Sequence, residues 1–332
     1  MENNSSIPTR MRAWTYRRYG PPDVLKLEEL PVPTPGPTDI LLRVHATTVN
    51  RTDCGFRSAE YVVSRLFSGI IKPKRPVLGC EFAGEVVAVG AQVQRFKVGD
   101  KVFGFDDQRF GAYAEYMVTA ADGGVALLPK GWSYTDAVAL TEGIHYAWCD
   151  LKAARIGPWS RVLVYGATGA IGSGAVQLAV SLGAVVTAVC TTPYGERIKA
   201  LGAHKVIDRT ATDFRTEPGP FELVFDAVGK SRFKDCKHLL TPDGCYISTE
   251  LGPRGENVFL GLIGGWRKGP RVRFPLPTIN QADVEHFRSM AEVGTLRPLI
   301  DRVVAFDELL EATRYVETGQ KIGNVVVNIP SS

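Results

Sequence analysis

A short apolar strand, Arg161–Tyr165, runs straight into a glycine-rich turn and then an amphipathic helix reaching Ala179, with Gly166, Gly169 and Gly172 at the bend. This pattern constrains the fold more than any other part of the sequence. Glycines at that spacing allow a tight turn, a close approach of backbone to a pyrophosphate, and close packing of helix on strand. The helix start presents unbonded amides and the positive end of a dipole to an anion. Gly166, Ala167, Thr168, Gly169, Ala170, Ile171 and Gly172 are therefore expected to cradle dinucleotide phosphates; the plainer alternative is a structural turn.

Apolar strand segments follow at Val185–Cys190, Lys205–Asp208, Leu223–Asp226, Cys245–Thr249 and Arg271–Phe274, with helices between most of them. With Arg161–Tyr165 that makes six strands, which fit one doubly wound parallel α/β sheet. A helical pattern over Tyr134–Ala154 precedes it. From Trp14 to about Val125 the chain is instead rich in Pro, Gly and β-branched residues, with strand runs at Ile40–Val44, Gly84–Val89 and Lys101–Phe103. Pro31–Pro37 is a connecting loop, because proline lacks the amide donor and fixes φ. The last stretch, Arg302–Ala305, a helix over Asp307–Thr318 and Gly323–Ile329, completes no further strand–helix–strand unit and is expected to return to the first domain.

The chain has 332 residues, which at about 150 residues per domain suggests two domains. With 45% hydrophobic and 22% charged residues it is a globular composition, not a disordered one. A net charge of +4 spread along the chain does not mark a nucleic-acid binder. Six cysteines without Cys-x-x-Cys pairs or framework spacing read as reduced thiols in a cytoplasmic protein. The polar start lacks a secretory apolar core, and the apolar stretch near Val258–Trp266 is too short to span a bilayer. Residues 1–10 are expected to form a flexible tail.

Nicotinamide selectivity is legible about 20 residues beyond the glycine turn, where folds preferring NAD place an acid on the ribose hydroxyls. Here the strand ends in Cys190 and Thr191, with no acid at its end. Thr191, Thr192, Tyr194 and Arg197 are the candidates to receive a 2′-phosphate, and a solvated helix start is the alternative.

Several further blocks lie in order: Val49–Asp53, Pro76–Val87, Val98–Gly104, Gly111–Tyr116, Leu201–Ala203, Phe225–Gly229 and Gly319–Val326. Together with the glycine turn they resemble the medium-chain dehydrogenase/reductase superfamily, in particular its zinc-free quinone oxidoreductase-like branch, over nearly the whole chain. The resemblance implies a partly open, barrel-like GroES-type catalytic domain over 11–130 and 298–332, beside a Rossmann domain over 131–297, with the active site in the cleft between them. It implies a small quinone or enone as substrate and a homodimer; the uncharged end of the second strand points to NADPH as cofactor, and the charge balance and lack of a spanning segment to no nucleic acid or membrane partner.

Zinc-dependent members of that superfamily carry metal ligands at the positions of Asn50, Cys80 and Thr141, of which only Cys80 is a good donor here, and the cysteine-rich lobe of a second zinc is absent. The resemblance therefore implies a zinc-independent enzyme. It puts Asn50 beside the nicotinamide and substrate, with a loop-capping amide as the alternative, and Thr141 near the cofactor. Asp53 is expected to hold loop geometry. Val228, Gly229, Thr249 and Phe274 match the rim of the cofactor groove, while Lys321, Gly323 and Asn324 match the segment that closes over it.

His145 stands where the family often has threonine near the nicotinamide ribose. An imidazole there can donate to developing negative charge or relay a proton, and the alternative is a hydrogen-bonded core histidine. The loops Arg57–Lys72 and Gly252–Lys268 are where substrate choice is expected to lie. Phe259–Trp266 fits the substrate mouth, a subunit contact or ordinary core. Two other functions remain open at this point: a non-catalytic NADPH-binding scaffold, and a metal-free NADP-linked alcohol dehydrogenase.

Overall fold

Strand β1 (Arg10–Thr15) pairs antiparallel with β2 (Lys26–Pro31) in the computed structural model, which describes residues 7–60, 65, 68–264 and 268–330. Arg10 is thus the first residue of a strand, one residue earlier than the tail expected over 1–10; residues 1–6 lie outside the described residues. Next come β3 (Asp39–Val49), helix α1 (Arg51–Ser58), β4 (Glu81–Val89), β5 (Lys101–Phe105), β6 (Tyr116–Ala120), β7 (Gly124–Leu127) and the short α2 (Tyr134–Ala137). β3 organises this region: β4 pairs along one edge, and β6 takes the first half of the other. Its β-branched and aliphatic side chains, Ile40, Leu42, Val44 and Val49, are buried in a core shared with Phe82, Phe105 and Tyr113.

The helix expected over Tyr134–Ala154 is broken. α2 is followed by a 3₁₀ turn, Val138–Leu140, and then Thr141, after which α3 (Glu142–Ala154) begins. The reason is local: the Thr141 hydroxyl donates to the Glu81 carboxylate at 2.7 Å and its N–H reaches the same oxygen at 3.3 Å. Those bonds draw the residue out of a continuous helix.

From α3 onward the chain alternates strands and helices: β8 (Arg161–Tyr165), α4 (Ala170–Ser181), β9 (Val185–Cys190), α5 (Gly195–Ala200), β10 (Lys205–Asp208), β11 (Phe221–Asp226), α6 (Phe233–Cys236), β12 (Leu240–Ser248), α7 (Glu256–Ile263) and β13 (Arg271–Val272). The six strands form one parallel sheet in the order β10-β9-β8-β11-β12-β13. Near-continuous burial of β8 and β9 is what strands covered on both faces require. The order reverses between β8 and β11, and at such a switch point the strand ends leave a crevice for ligands. Arg271 and Val272 of the expected 271–274 strand pair with β12 and the Arg273 amide still donates to the Tyr246 carbonyl at 3.0 Å, while Phe274 packs instead against Gly261 of α7.

The chain then returns to the first region through α8 (Gln281–Glu292), β14 (Ile300–Ala305), α9 (Leu309–Glu317) and β15 (Asn324–Asn328). β15 takes the second half of the β3 edge, antiparallel, and β14 adds beside it, giving a seven-stranded sheet. Two compact units result: 1–141, 279–292 and 300–332 in one, 142–278 and 293–299 in the other. This division differs from the boundaries at 130 and 298. α8 belongs to the mainly β unit, where Arg95 pairs with Glu285 at 2.7 Å and Ile279 lies against Gly124. Residues 131–141 belong there through Thr141 and Glu81.

Candidate active site

In the mainly β unit, the end of β3 and the start of α1 carry a buried polar cluster. Asn50 is the N-cap of α1: its Oδ1 accepts from the Asp53 amide at 2.9 Å, while its Nδ2 donates to Cys80 Sγ at 3.1 Å and lies 3.4 Å from Thr48 Oγ1. The cap satisfies one of the orphan amides of the helix start. Both ends of the Asn50 amide are thus engaged. Asp53 in turn accepts from Gly79 N at 3.0 Å and from the Tyr113 hydroxyl at 3.1 Å, tying α1 to the chain entering β4. Burial and this carboxylate push the Tyr113 phenol well above its ordinary pKa.

Beside it, the fully buried Glu81 collects the hydroxyls of Thr48 and Thr141. A buried carboxylate needs such donors. The register pairing Val325 with Val49 brings Asn324 alongside Asn50. Lys321 donates from Nζ to the Gly323 carbonyl, folding its side chain over the turn that leads into β15. Asn50, Thr141, Lys321 and Asn324 therefore stand in one unit. The other predicted site residues stand in the second.

In that second unit the glycine turn joins β8 to α4. Gly166 adopts φ +85°, and a Cβ there would lie 2.5 Å from Val228 Cγ1; a Cβ on Gly172 would lie 2.2 Å from the Gly166 carbonyl oxygen. Both positions demand glycine, for conformation in the first case and for close approach in both. α4 starts after Gly169 with no side-chain cap, so its first-turn amides face outward from the turn. The cradle suits an anionic diphosphate.

The opposite wall of the turn is built by Asp226, the last residue of β11. Its carboxylate accepts from the amides of Val228 at 3.1 Å, Lys230 at 3.3 Å and Ser231 at 2.7 Å, and from the Tyr246 hydroxyl at 3.1 Å. Gly229 sits in this turn at φ +63°. Burial pushes the Asp226 carboxyl above the ordinary range, offset in part by those donors. Thr249 N donates to the Asp226 carbonyl at 3.1 Å, so Gly166–Gly172, Val228, Gly229 and Thr249 gather at the C-terminal edge of one sheet. Phe274 lies outside this group, against α7. His145 is buried on the first turn of α3 with its ring 4.6 Å from that of Tyr146.

At the end of β9, Thr191 and Tyr194 are half-buried and Thr192 and Arg197 exposed. The end of β9 itself carries no acid, as the sequence has it, but one stands across from it: Thr192 donates to Asp208, the last residue of the neighbouring β10. Asp208 also binds Thr210 N at 2.9 Å and Thr210 Oγ1 at 2.7 Å, and these donors hold its carboxyl below the usual range. Next to it the exposed Arg209 ties back to β9 through its amide, 2.9 Å from the Cys190 carbonyl. Distance along the chain hid both residues; only strand adjacency finds them.

A GroES-like sheet unit together with a Rossmann unit bearing an unsubstitutable glycine cradle defines a dinucleotide-dependent oxidoreductase class. The description "Alcohol dehydrogenase GroES-like domain" matches residues 36–130, and "Zinc-binding dehydrogenase" matches residues 201–327. The chain is 32% identical over 335 residues to a 2-methylene-furan-3-one reductase of Solanum lycopersicum, covering 97% of this chain and 80% of that protein. To a chloroplastic NADPH-dependent alkenal/one oxidoreductase of Arabidopsis thaliana it is 29% identical, covering 98% and 81%. A solved quinone oxidoreductase from Coxiella burnetii superposes with a TM-score of 0.86 at 27% identity, over 97% of this chain and all of that one. The chain belongs to the medium-chain dehydrogenase/reductase superfamily, an oxidoreductase family. No helix of the described residues is long and apolar enough to cross a membrane.

Proposed function

We propose that this chain is an NADPH-dependent, zinc-independent reductase that delivers a hydride to a quinone or an α,β-unsaturated carbonyl. The observation that carries this reading is the donor set at the Asn50 cluster. An amide, a hydroxyl and one thiol occupy the positions matching the family's zinc ligands, and the amide and hydroxyl already serve the Asp53 amide and Glu81. Zinc prefers three or four thiolate, imidazole or carboxylate donors, and among the described residues no group of three His, Cys, Asp or Glu side chains offers such a set. Without a Lewis acid, conjugated acceptors are favoured, because charge arriving at carbon spreads through the conjugated system.

When bound, the reduced nicotinamide supplies the hydride. The first-turn amides of α4 would hold its diphosphate, with Gly166, Gly169 and Gly172 admitting it and the turn over Val228–Gly229 forming the opposite wall. Thr191, Thr192, Tyr194 and Arg197, joined by Arg209, would take the 2′-phosphate; Asp208 is turned to Thr210 and Thr192 and its charge is partly spent there. Asn50 holds α1 against Cys80, a positioning role that both ends of its amide already perform. His145 is assigned the proton relay.

The test is oxidation of NADPH and NADH by chelator-treated protein with a quinone and an enone in parallel. Rapid oxidation of NADPH, slower with NADH and unchanged by chelation, is expected. Chelator-sensitive turnover removes the zinc-free reading, and silence with saturable NADPH binding favours a scaffold. In the same assay His145→Gln is expected to lower turnover about tenfold or more, the scale of lost acid–base assistance, at unchanged NADPH affinity. Full turnover across pH would take the imidazole out of the reaction.

A further inference from the structure

Against the expectations of no membrane partner and of a substrate-selecting loop up to Lys72, we propose that the loop of residues 68–75 is a membrane-docking tip that seats this protein on an anionic lipid surface. Ile70 and Ile71 are adjacent and 70% and 92% exposed. Two neighbouring aliphatic side chains so bare to water are unlike the scattered single apolar residues that protein surfaces ordinarily show. Lys72, Lys74 and Arg75 follow directly, all exposed, and none of the three pairs with an acid among the described residues. The sequence between Glu60 and Glu81 contains no Asp or Glu at all. The tip thus presents an aliphatic point backed by uncompensated positive charge.

Its outward presentation is built in. The Lys74 amide donates to the Ser68 carbonyl at 2.8 Å, closing the turn, and the Tyr19 hydroxyl bonds Ser68 Oγ at 2.8 Å and donates to the Gly69 carbonyl. Gly69 adopts φ +124°, and a Cβ there would lie 2.1 Å from the Lys72 carbonyl oxygen, so the reversal needs glycine. The isoleucines are held away from the body of the unit instead of folding back onto it. Charge complementarity selects the occupant: aliphatic side chains enter the headgroup boundary while lysine and arginine meet anionic headgroups, and each signal alone binds weakly.

The experiment is co-sedimentation of the full chain with vesicles of phosphatidylcholine and with vesicles of phosphatidylcholine mixed with phosphatidylglycerol, at low and high salt. Binding is expected to the mixed vesicles and to weaken with salt. Replacing Lys72, Lys74 and Arg75 together by Gln is expected to weaken it roughly 100-fold, at about fivefold per basic residue near such a surface. The Ile70→Ser, Ile71→Ser double variant is expected to weaken it tenfold or more while keeping the wild-type circular dichroism and melting temperature. Equal sedimentation with both vesicle types, or variants that bind like wild type, overturns the proposal. So does retention on a protein partner with no vesicle binding.

Discussion

Single carboxylates decide much of the local order in the Rossmann unit. Asp226 ties three backbone amides and one phenol to the end of β11, and stranding buried donors costs about 1–3 kcal/mol each. Asp226→Ala is expected to lower stability by at least about 2 kcal/mol and to raise the KM for the dinucleotide more than it changes kcat. Asp226→Asn, which keeps one acceptor oxygen, is expected to restore part of both; denaturant titration beside initial-rate kinetics reads the split. Asp150 on α3 is a simpler case, since burial alone pushes its carboxyl well above the ordinary range. A raised folded-state pKa means its contribution to stability is full below the unfolded value, about 3.9, and is lost as pH rises through the folded value. Asp150→Asn is therefore expected to match wild type in acid and to melt higher at neutral pH, by about 2–4 °C for each kcal/mol relieved. Melting curves across pH test this, and equal melting at every pH rejects it.

At the scale of elements, the strand–turn–helix unit β8–α4 was the most legible part of the chain, because its determinants lie within twenty consecutive residues. The strands Arg161–Tyr165, Val185–Cys190 and Lys205–Asp208 stand where their apolar runs put them. Elements defined by distant partners were less legible. The break at Thr141 depends on Glu81, sixty residues earlier, and the expected strand falls short of Phe274 because that residue packs against α7. The acid beside the end of β9 was hidden for the same reason: Asp208 becomes Thr192's neighbour only through the pairing of β9 with β10. The glycine turn offers a sharp test of its own geometry. Gly172→Ala puts a methyl 2.2 Å from the Gly166 carbonyl oxygen, and forcing such overlap costs about 1–3 kcal/mol. The variant is expected to lose that much stability and to weaken dinucleotide binding at least tenfold in a fluorescence titration. Wild-type affinity would mean that α4 can move off the turn without cost.

At the scale of the whole molecule, the two units draw on the chain differently, and this predicts how each fails. The parallel sheet of the Rossmann unit is complete between Arg161 and Val272, so its ladder needs nothing from the C-terminal stretch. The mainly β unit is not closed until β15 pairs with β3, and its core includes Phe306, Leu309, Ala312, Val316, Val325, Val327 and Ile329. Fully burying a large aliphatic or aromatic side chain contributes about 1.5–3 kcal/mol, so the six larger ones together supply roughly 9–18 kcal/mol. That is the size of the whole net stability of a domain, about 5–15 kcal/mol. A chain ending at Leu299 is therefore expected to lose the cooperative transition of the mainly β unit. Without β15, the Thr47–Val49 edge of β3 also lacks its hydrogen-bonding partner and invites association with other chains. The Rossmann transition is expected to survive in calorimetry, and limited proteolysis is expected to digest residues before Thr141 while sparing a fragment beginning near Glu142. Loss of both transitions at once would instead mean that the parallel sheet relies on the folded β unit for its own stability.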